Sequence, residues 1–211
     1  MSSTNRGGKR EVSDYYATPI PVIQSFLRAW AQDFDPDLVK SPHSGVFAGI
    51  KSILDPCAGG VKHKFVGGCE PMAYPEAIRL SAELFPDLQT VTTVDIRADS
   101  PADVHGDYRM LPSKGGFDLI ISNPPFCFAQ EFIERALTQV GRGGYVAMLL
   151  RLNYFGSDER FPFWNRHMPY RCYVNHKRIS FTKNGKSDSI EYMHAIWQEG
   201  HYPSSTMLKV I

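Results

Sequence analysis

The chain has 211 residues, of which 43% are hydrophobic and 21% charged, with a formal net charge of +1. That is the balance of one ordinary α/β-sized globular domain with a real core, and it excludes binding by overall polyelectrolyte attraction. No apolar run reaches the length of a membrane span, and the N-terminus lacks the apolar core of a signal peptide.

Residues 1–13 are polar, with Arg6, Lys9 and Arg10, and read as a flexible tail. Thr18 then predicts a helix N-cap with Pro19 at the first helical position. Val22, Ile23, Phe26, Leu27 and Trp30 share one face of that helix. Residues 33–49 read as a loop. A short strand follows, ending at Asp55 and entering the turn Pro56-Cys57-Ala58-Gly59-Gly60, whose glycines let the backbone approach a ligand closely. Residues 61–75 look like an inserted loop, a lid or a substrate-contacting element. A helix is expected over 74–84, packed through Ala77, Ile78, Ser81 and Leu84. The β-branched run 90–96 is a strand ending in Asp95. An acid in that place accepts hydrogen bonds from both ribose hydroxyls in dinucleotide folds, and Ile96 would lie against the adenine. Residues 104–108 form the next strand end, carrying Asp107 and Tyr108.

The stretch Ile120-Ile121-Ser122-Asn123-Pro124-Pro125-Phe126 is the most informative part of the chain. An apolar strand, broken only by Asp118, stops at an amide, two prolines and an aromatic. Each proline fixes φ, removes a donor and pushes the residue before it away from helix. Asn123 therefore sits on a stiff extended turn past a strand's carboxyl end, where open α/β sheets bind ligands. An exocyclic amine on a flat ring is a poor nucleophile because its lone pair is delocalised. Two acceptors aimed at its hydrogens, the Asn123 side-chain oxygen and the Pro124 carbonyl, would raise electron density on that nitrogen. Phe126 would stack on the ring. Asn123 is neutral, so the effect is one of positioning and electrostatics.

Beyond the motif, a helix is expected through Phe132, Ile133, Ala136 and Leu137, ended by Gly141-Arg142-Gly143-Gly144. Residues 145–150 are apolar throughout and read as a strand buried on both faces. Arg151 and Asn153 open onto the same rim as Asn123. Residues 157–170 interleave Arg160, Arg166 and His167 with Phe161, Phe163 and Trp164. That pattern suits phosphate contacts and base stacking, and equally a helix packing aromatics into the core. Residues 171–181 and 189–197 are two strands around an Asn184-Gly185 turn whose tip carries Lys183 and Lys186, within reach of phosphate. Residues 1–150 hold 14 basic and 17 acidic side chains, whereas residues 151–211 hold 9 and 5. The more basic final third is compatible with a phosphate-bearing substrate. Cys57, Cys69, Cys127 and Cys172 show no C-x-x-C pairing, and Cys57, His63 and Cys69 lack a fourth ligand, so reduced thiols and no metal are expected.

Asn-Pro-Pro-Phe after an apolar strand resembles the catalytic motif of S-adenosylmethionine-dependent methyltransferases that act on planar nitrogens. The order Thr18-Pro19, Asp55/Gly59, Asp95, Asp107, Asn123 is similar to that family over most of residues 14–150. The tail 153–197, with Phe163-Trp164 and the run from Gly185 to Tyr192, resembles small phage-type DNA adenine-N6 methyltransferases. The resemblance implies a Rossmann-like class I methyltransferase fold: α/β, a mostly parallel seven-stranded sheet with an antiparallel C-terminal hairpin. It implies S-adenosyl-L-methionine as cofactor. Tyr16, Thr18 and Pro19 would meet its methionine part. Asp55 would bind its amino group directly or through water, with Pro56, Cys57 and Gly59 in the turn beneath it. Val61 departs from the pattern, standing where a third glycine is common. Asp107, with Tyr108 beside it, would bind the adenine amine, Asp99 and Asp103 being alternatives. Catalysis would rest on Asn123, Pro124, Pro125 and Phe126, and nucleic-acid contact on Arg151, Asn153, Trp164, Lys183 and Lys186. Cys127 is read as packing. The expected protein is a single domain over 14–211 without a large separate target-recognition domain. It would act as a monomer or weak dimer in a bacterial or phage-infected cytoplasm, apart from membranes. Its reaction would be methylation of adenine N6 in DNA with short or relaxed specificity. RNA amine methylation, protein glutamine methylation and an inactive DNA-binding module are the alternatives.

Overall fold

The computed structural model describes residues 16–34, 47–62, 70–112, 115–181 and 189–211. The N-terminal tail, most of the 33–49 loop, the middle of the 61–75 insertion with His63 and Cys69, and the turn bearing Lys183 and Lys186 lie outside the described residues. Eight strands form one sheet among the described residues: β1 (Ser52–Asp55), β2 (Thr90–Asp95), β3 (Val104–His105), β4 (Phe117–Ser122), β5 (Val140–Arg151), β6 (Arg171–Val174), β7 (Tyr192–Gln198) and β8 (Met207–Val210). Their order is β3-β2-β1-β4-β5-β7-β6-β8. The first five are parallel, and β7 runs antiparallel between β5 and β6. The expected mostly parallel sheet with an antiparallel finish is therefore present, with one strand more than the seven foreseen. That extra strand, β8, pairs parallel to β6 from Arg171↔Met207 to Val174↔Val210.

Period-two alternation sorts the strand residues into two cores. On one face, Ile53, Leu119, Ile121, Ala147, Tyr173 and Ile196 pack under α1 (Ile20–Phe34) and α2 (Ala73–Arg79). On the other, Leu54, Ile120, Val146, Met148, Cys172 and Ala195 pack against α3 (Ala129–Gln139) and α4 (Phe161–Arg166). The one polar break in the apolar run of β4 has a structural cause. Asp118 Oδ2 accepts from Lys51 N–H (2.8 Å), Ser52 N–H (2.9 Å) and the Ser52 hydroxyl (3.0 Å), which sets the register of β1 against β4. Because β1 has β2 on one side and β4 on the other, the chain crosses over in opposite directions there, and the carboxyl ends of the two strands splay into a crevice.

Several boundaries differ from expectation. The first helix begins at Ile20, and the Pro19 carbonyl accepts from Val22 (3.0 Å) and Ile23 (3.4 Å), so Pro19 holds the cap position and the buried Thr18 hydroxyl caps nothing. The helix expected over 74–84 is Ala73–Arg79 followed by a 3-10 turn, Ala82–Leu84, because Ser81 leaves helical geometry. Gly141–Gly144 do not end α3. They belong to β5, which starts at Val140 opposite Phe117 and absorbs a bulge before Leu119 meets Tyr145. The 171–181 strand is cut to four residues, and Ile179 and Phe181 instead pack with Leu149, Ile190 and Tyr192. Val61, at the place of the third glycine, pairs with Glu70 through two hydrogen bonds (2.9 and 3.0 Å), which closes the base of the insertion.

Candidate active site

Beyond Ser122 the chain leaves the sheet through the two prolines, and the Pro125 carbonyl accepts the Phe128 N–H (2.9 Å) as α3 begins. Asn123 Nδ2 donates to the Tyr16 carbonyl at 3.2 Å. A carbonyl can only accept, so this contact fixes which end of the amide faces it. Asn123 Oδ1 is left buried with no hydrogen-bond partner. An orphaned buried acceptor costs about 1–3 kcal/mol unless a water, an ion or a ligand meets it. The Pro124 carbonyl likewise accepts no hydrogen bond among the described residues.

Asn123 and Pro124 both line a cavity of about 440 Å³ at the crevice. Tyr16, Thr18, Pro56, Cys57, Gly59, Asp95, Ile96, Asp107, Tyr108, Arg151 and the whole of Asn123–Phe126 line it. Of the expected nucleic-acid contacts among the described residues, Arg151, Asn153 and Trp164, only Arg151 does so. Pro19 stands just outside at the start of α1. Asn153 is exposed but does not line the cavity. Trp164 has to be corrected: it is 4% exposed and packs into the core, its ring 4.6 Å from Phe155 and 4.8 Å from Phe163, so it cannot stack on a base. Cys127, expected to pack, is exposed at the cavity wall.

The glycine turn closes under the cavity. Gly59 and Gly60 have φ of 70° and 73°, the left-handed region that glycine enters without strain. A Cβ on Gly60 would meet Met72 Cγ at 2.9 Å and the Glu70 carbonyl at 3.1 Å. Asp95 ties this turn to the next strand: Oδ2 accepts from Gly59 N–H (2.8 Å), and Oδ1 from Arg97 N–H (2.8 Å) and Nε (3.2 Å). Ile96 beside it is 60% exposed, an apolar side chain on the cavity wall with no core to join. Asp107 is gripped by Arg109 at 2.7 Å, and that guanidinium holds its carboxyl below the usual carboxylate range. Of the alternatives to Asp107, Asp103 caps Thr93 (2.9 and 2.7 Å) and Asp99 pairs with Arg97 (3.5 Å), and neither lines the cavity.

Asp55 lies under the cavity floor, fully buried, and is not part of the lining. Its Oδ1 accepts from Ser122 Oγ (2.5 Å) and Cys57 N–H (3.2 Å), while Oδ2 has no partner. Burial is the main cause of its carboxyl being raised to about 7, with the Asp95 charge adding to it.

Several wall residues escaped the sequence reading. Arg97 and Arg109 each stand two places after a strand-end acid and bond it, a spacing that was legible. Tyr74, Phe181 and Tyr192 gave no signal that sets them apart from core aromatics. Tyr74 lies on α2, its hydroxyl 3.0 Å from Nε2 of His194, which is wholly buried and pushed down to about 3 by that burial. Phe181 packs edge-on against both Tyr16 (6.4 Å) and Tyr192 (5.0 Å). Arg151 lies 4.7 Å over the ring of Phe126, with its Nε buried and without a partner.

Solved structures share this architecture. A proposed class I S-adenosylmethionine-dependent methyltransferase of Listeria monocytogenes superposes with a TM-score of 0.60 over 92% of this chain at 16% identity. The fold is that of the class I methyltransferases. A proposed RNA methyltransferase of Pyrococcus horikoshii gives 0.54 over 88% of the chain at 14% identity, matching 87% of its own length. The M protein of the type I restriction enzyme EcoKI gives 0.53 over 90% at 12% identity. The chain spans 65% of the Listeria protein and 46% of the EcoKI subunit. No protein-family model matches the sequence, and no curated protein matches it by sequence.

Proposed function

We propose that this protein is an S-adenosyl-L-methionine-dependent methyltransferase that modifies the N6 amine of adenine in DNA, with short or relaxed sequence specificity. The observation that carries the reading is the pair of unpartnered acceptors, Asn123 Oδ1 and the Pro124 carbonyl, on two residues that line a cavity at the sheet's switch point. The cavity suits the cofactor. Ile96 offers an otherwise unexplained apolar face, Asp95 ends β2, and Asp107 stands two residues past β3 on the same wall. In this reading Asp95 meets the ribose, Asp107 the adenine amine, and Tyr16 and Thr18 the methionine chain, while Asp55, closed off beneath the floor, supports the turn rather than touching the cofactor. S-adenosyl-L-methionine, when bound, supplies an electrophilic methyl group on a sulfonium.

The protein's own part is positioning. Asn123 Oδ1 and the Pro124 carbonyl accept the two hydrogens of the target amine and turn its lone pair out of conjugation. Neither group is a strong base, so the proton released on transfer passes to water. Phe126 holds the ring face-on, which requires the base to leave its stack. Arg151 is the residue placed to meet a flanking phosphate.

DNA is favoured because Tyr16 and Thr18, upstream of the glycine turn, reach the cavity, as the family resemblance implies for the adenine-N6 class. The EcoKI M protein, a restriction-enzyme component, shares the fold. An RNA amine is the second reading, since the same acceptor pair fits guanine N2 or adenine N6 and the Pyrococcus horikoshii neighbour matches along most of its length. Labelled methyl transfer to DNA, RNA and protein, followed by nucleoside mass spectrometry, decides. N6-methyladenine in DNA is expected. Label confined to RNA or to glutamine, or modification confined to one long DNA site, would overturn this reading.

A further inference from the structure

Beneath the motif, a chain of side chains runs from β1 to the turn that carries Asn123. Ser122 Oγ lies 2.5 Å from Asp55 Oδ1 and 2.8 Å from Cys57 Sγ, and the Cys57 thiol donates to the main-chain carbonyl of Asn123 at 3.1 Å. Asp55 and Ser122 are both wholly buried. We propose that Ser122 and Cys57 are positioning residues, whose hydroxyl and thiol hold the Asn123–Pro124 peptide, and with it both amine acceptors, at a fixed angle to the glycine turn. This inference rests on the function proposed above.

The reasoning is conformational. The Asn123–Pro124 peptide is planar, so pinning its oxygen pins ψ of Asn123. The Pro124 ring fixes the next φ, and Pro125 confines the ψ after that to an extended basin. A residue before proline still has a basin roughly 40° wide, far looser than in-line chemistry tolerates, and a misplacement of about 1 Å costs on the order of a hundredfold in rate. The thiol contact narrows that basin from below. It also joins the two halves of the site directly, since Cys57 belongs to the turn under the cavity and Asn123 to the motif above it.

Counting protons shows what sustains the chain. With Asp55 ionised, two protons serve three links: Ser122 gives its own to Asp55, and Cys57 must serve both Ser122 Oγ and the Asn123 carbonyl. Asp95, Tyr74 and Cys57 are the other titratable groups that interact with Asp55.

The test uses the full chain. Infrared difference spectra between wild type and Cys57→Ala isolate the Cys57 S–H stretch. A band lowered by hydrogen bonding is expected, and Ser122→Ala should displace it without any cofactor present. In methyl transfer to DNA, Ser122→Ala should lower kcat about 10- to 100-fold with KM and cofactor Kd within a few-fold, and Ser122→Thr should recover most of that rate. An S–H band and a kcat both unmoved by Ser122→Ala would overturn the inference. If Ser122→Ala does not fold, Cys57→Ser is read against Cys57→Ala: the serine, which still donates, should turn over faster, and equal rates would overturn it. A wild-type protein that methylates nothing would instead overturn the proposed function, while the infrared band would still report whether the chain is held.

Discussion

Around the glycine turn both oxygens of Asp95 and both of Asp107 are already bonded, whereas across the cavity Asn123 Oδ1 accepts nothing and Arg151 has no carboxylate partner among the described residues. The first wall is set by charge-assisted hydrogen bonds to backbone and guanidinium groups. The second is aromatic, built from Phe126, Phe181 and Tyr192, with one spare cation resting on a ring. A finished wall suits a ligand that is the same at every turnover. An aromatic wall with an uncommitted guanidinium suits a flat base that arrives attached to phosphate.

The largest expected effect comes from a residue that belongs to neither wall. Trp164→Ala should cost about 3–5 kcal/mol in urea unfolding, through the cavity it leaves, with no change in the salt dependence of DNA binding by the folded protein. A selective loss of DNA binding at unchanged stability would return Trp164 to the substrate side. On the finished wall, Asp95→Ala should weaken cofactor binding about 10- to 100-fold by calorimetry, because Gly59 and Arg97 lose their shared acceptor. Unchanged affinity would break the assignment of that wall to the cofactor. On the open wall, Arg151→Ala should raise KM for DNA about tenfold and lower the slope of log K against log salt by about one, with cofactor Kd unchanged. A salt slope identical to wild type would remove the phosphate role.

The smallest effects are in pH. Asp55 titrates at about 7 in the folded chain against 3.8 ordinarily, so its contribution to stability is complete below about pH 4 and is lost as pH rises through 7. His194, pushed from 6.5 to about 3, has the opposite sign: its contribution is complete above about pH 6.5 and is lost as pH falls through 3. Between pH 4 and 6.5 the two slopes oppose each other. Urea unfolding of the cofactor-free protein should show Asp55→Asn losing less stability than wild type between pH 5 and pH 8. A parallel pair of curves would mean Asp55 is ionised throughout.

The sheet's parallel half was legible because each strand ended in a residue type with a physical job: Asp55, Asp95, and Asn123 before two prolines. The glycines at 141–144 were misread because a helix C-cap and a bulged strand start ask for the same residue. Trp164 was misread because an aromatic beside arginines looks alike on a surface and at a core edge; only the packing against Phe155 and Phe163 separates the two. Phe181 was placed in a strand by its neighbours' β-propensity, and its turn toward the cavity depends on Tyr16 and Tyr192, both distant in sequence. Strand β8 had no clear signal, since Met207, Leu208 and Val210 are exposed and the strand is held by its pairing with β6 and by the Lys209–Asp33 ion pair (2.9 Å).

The most direct measurement is labelled methyl transfer to DNA by Asn123→Ala alongside calorimetric cofactor binding. Loss of transfer by about 10²- to 10³-fold, with cofactor affinity within a few-fold of wild type, is the expected result. Transfer at the wild-type rate would contradict the account, and so would activity and cofactor affinity lost together.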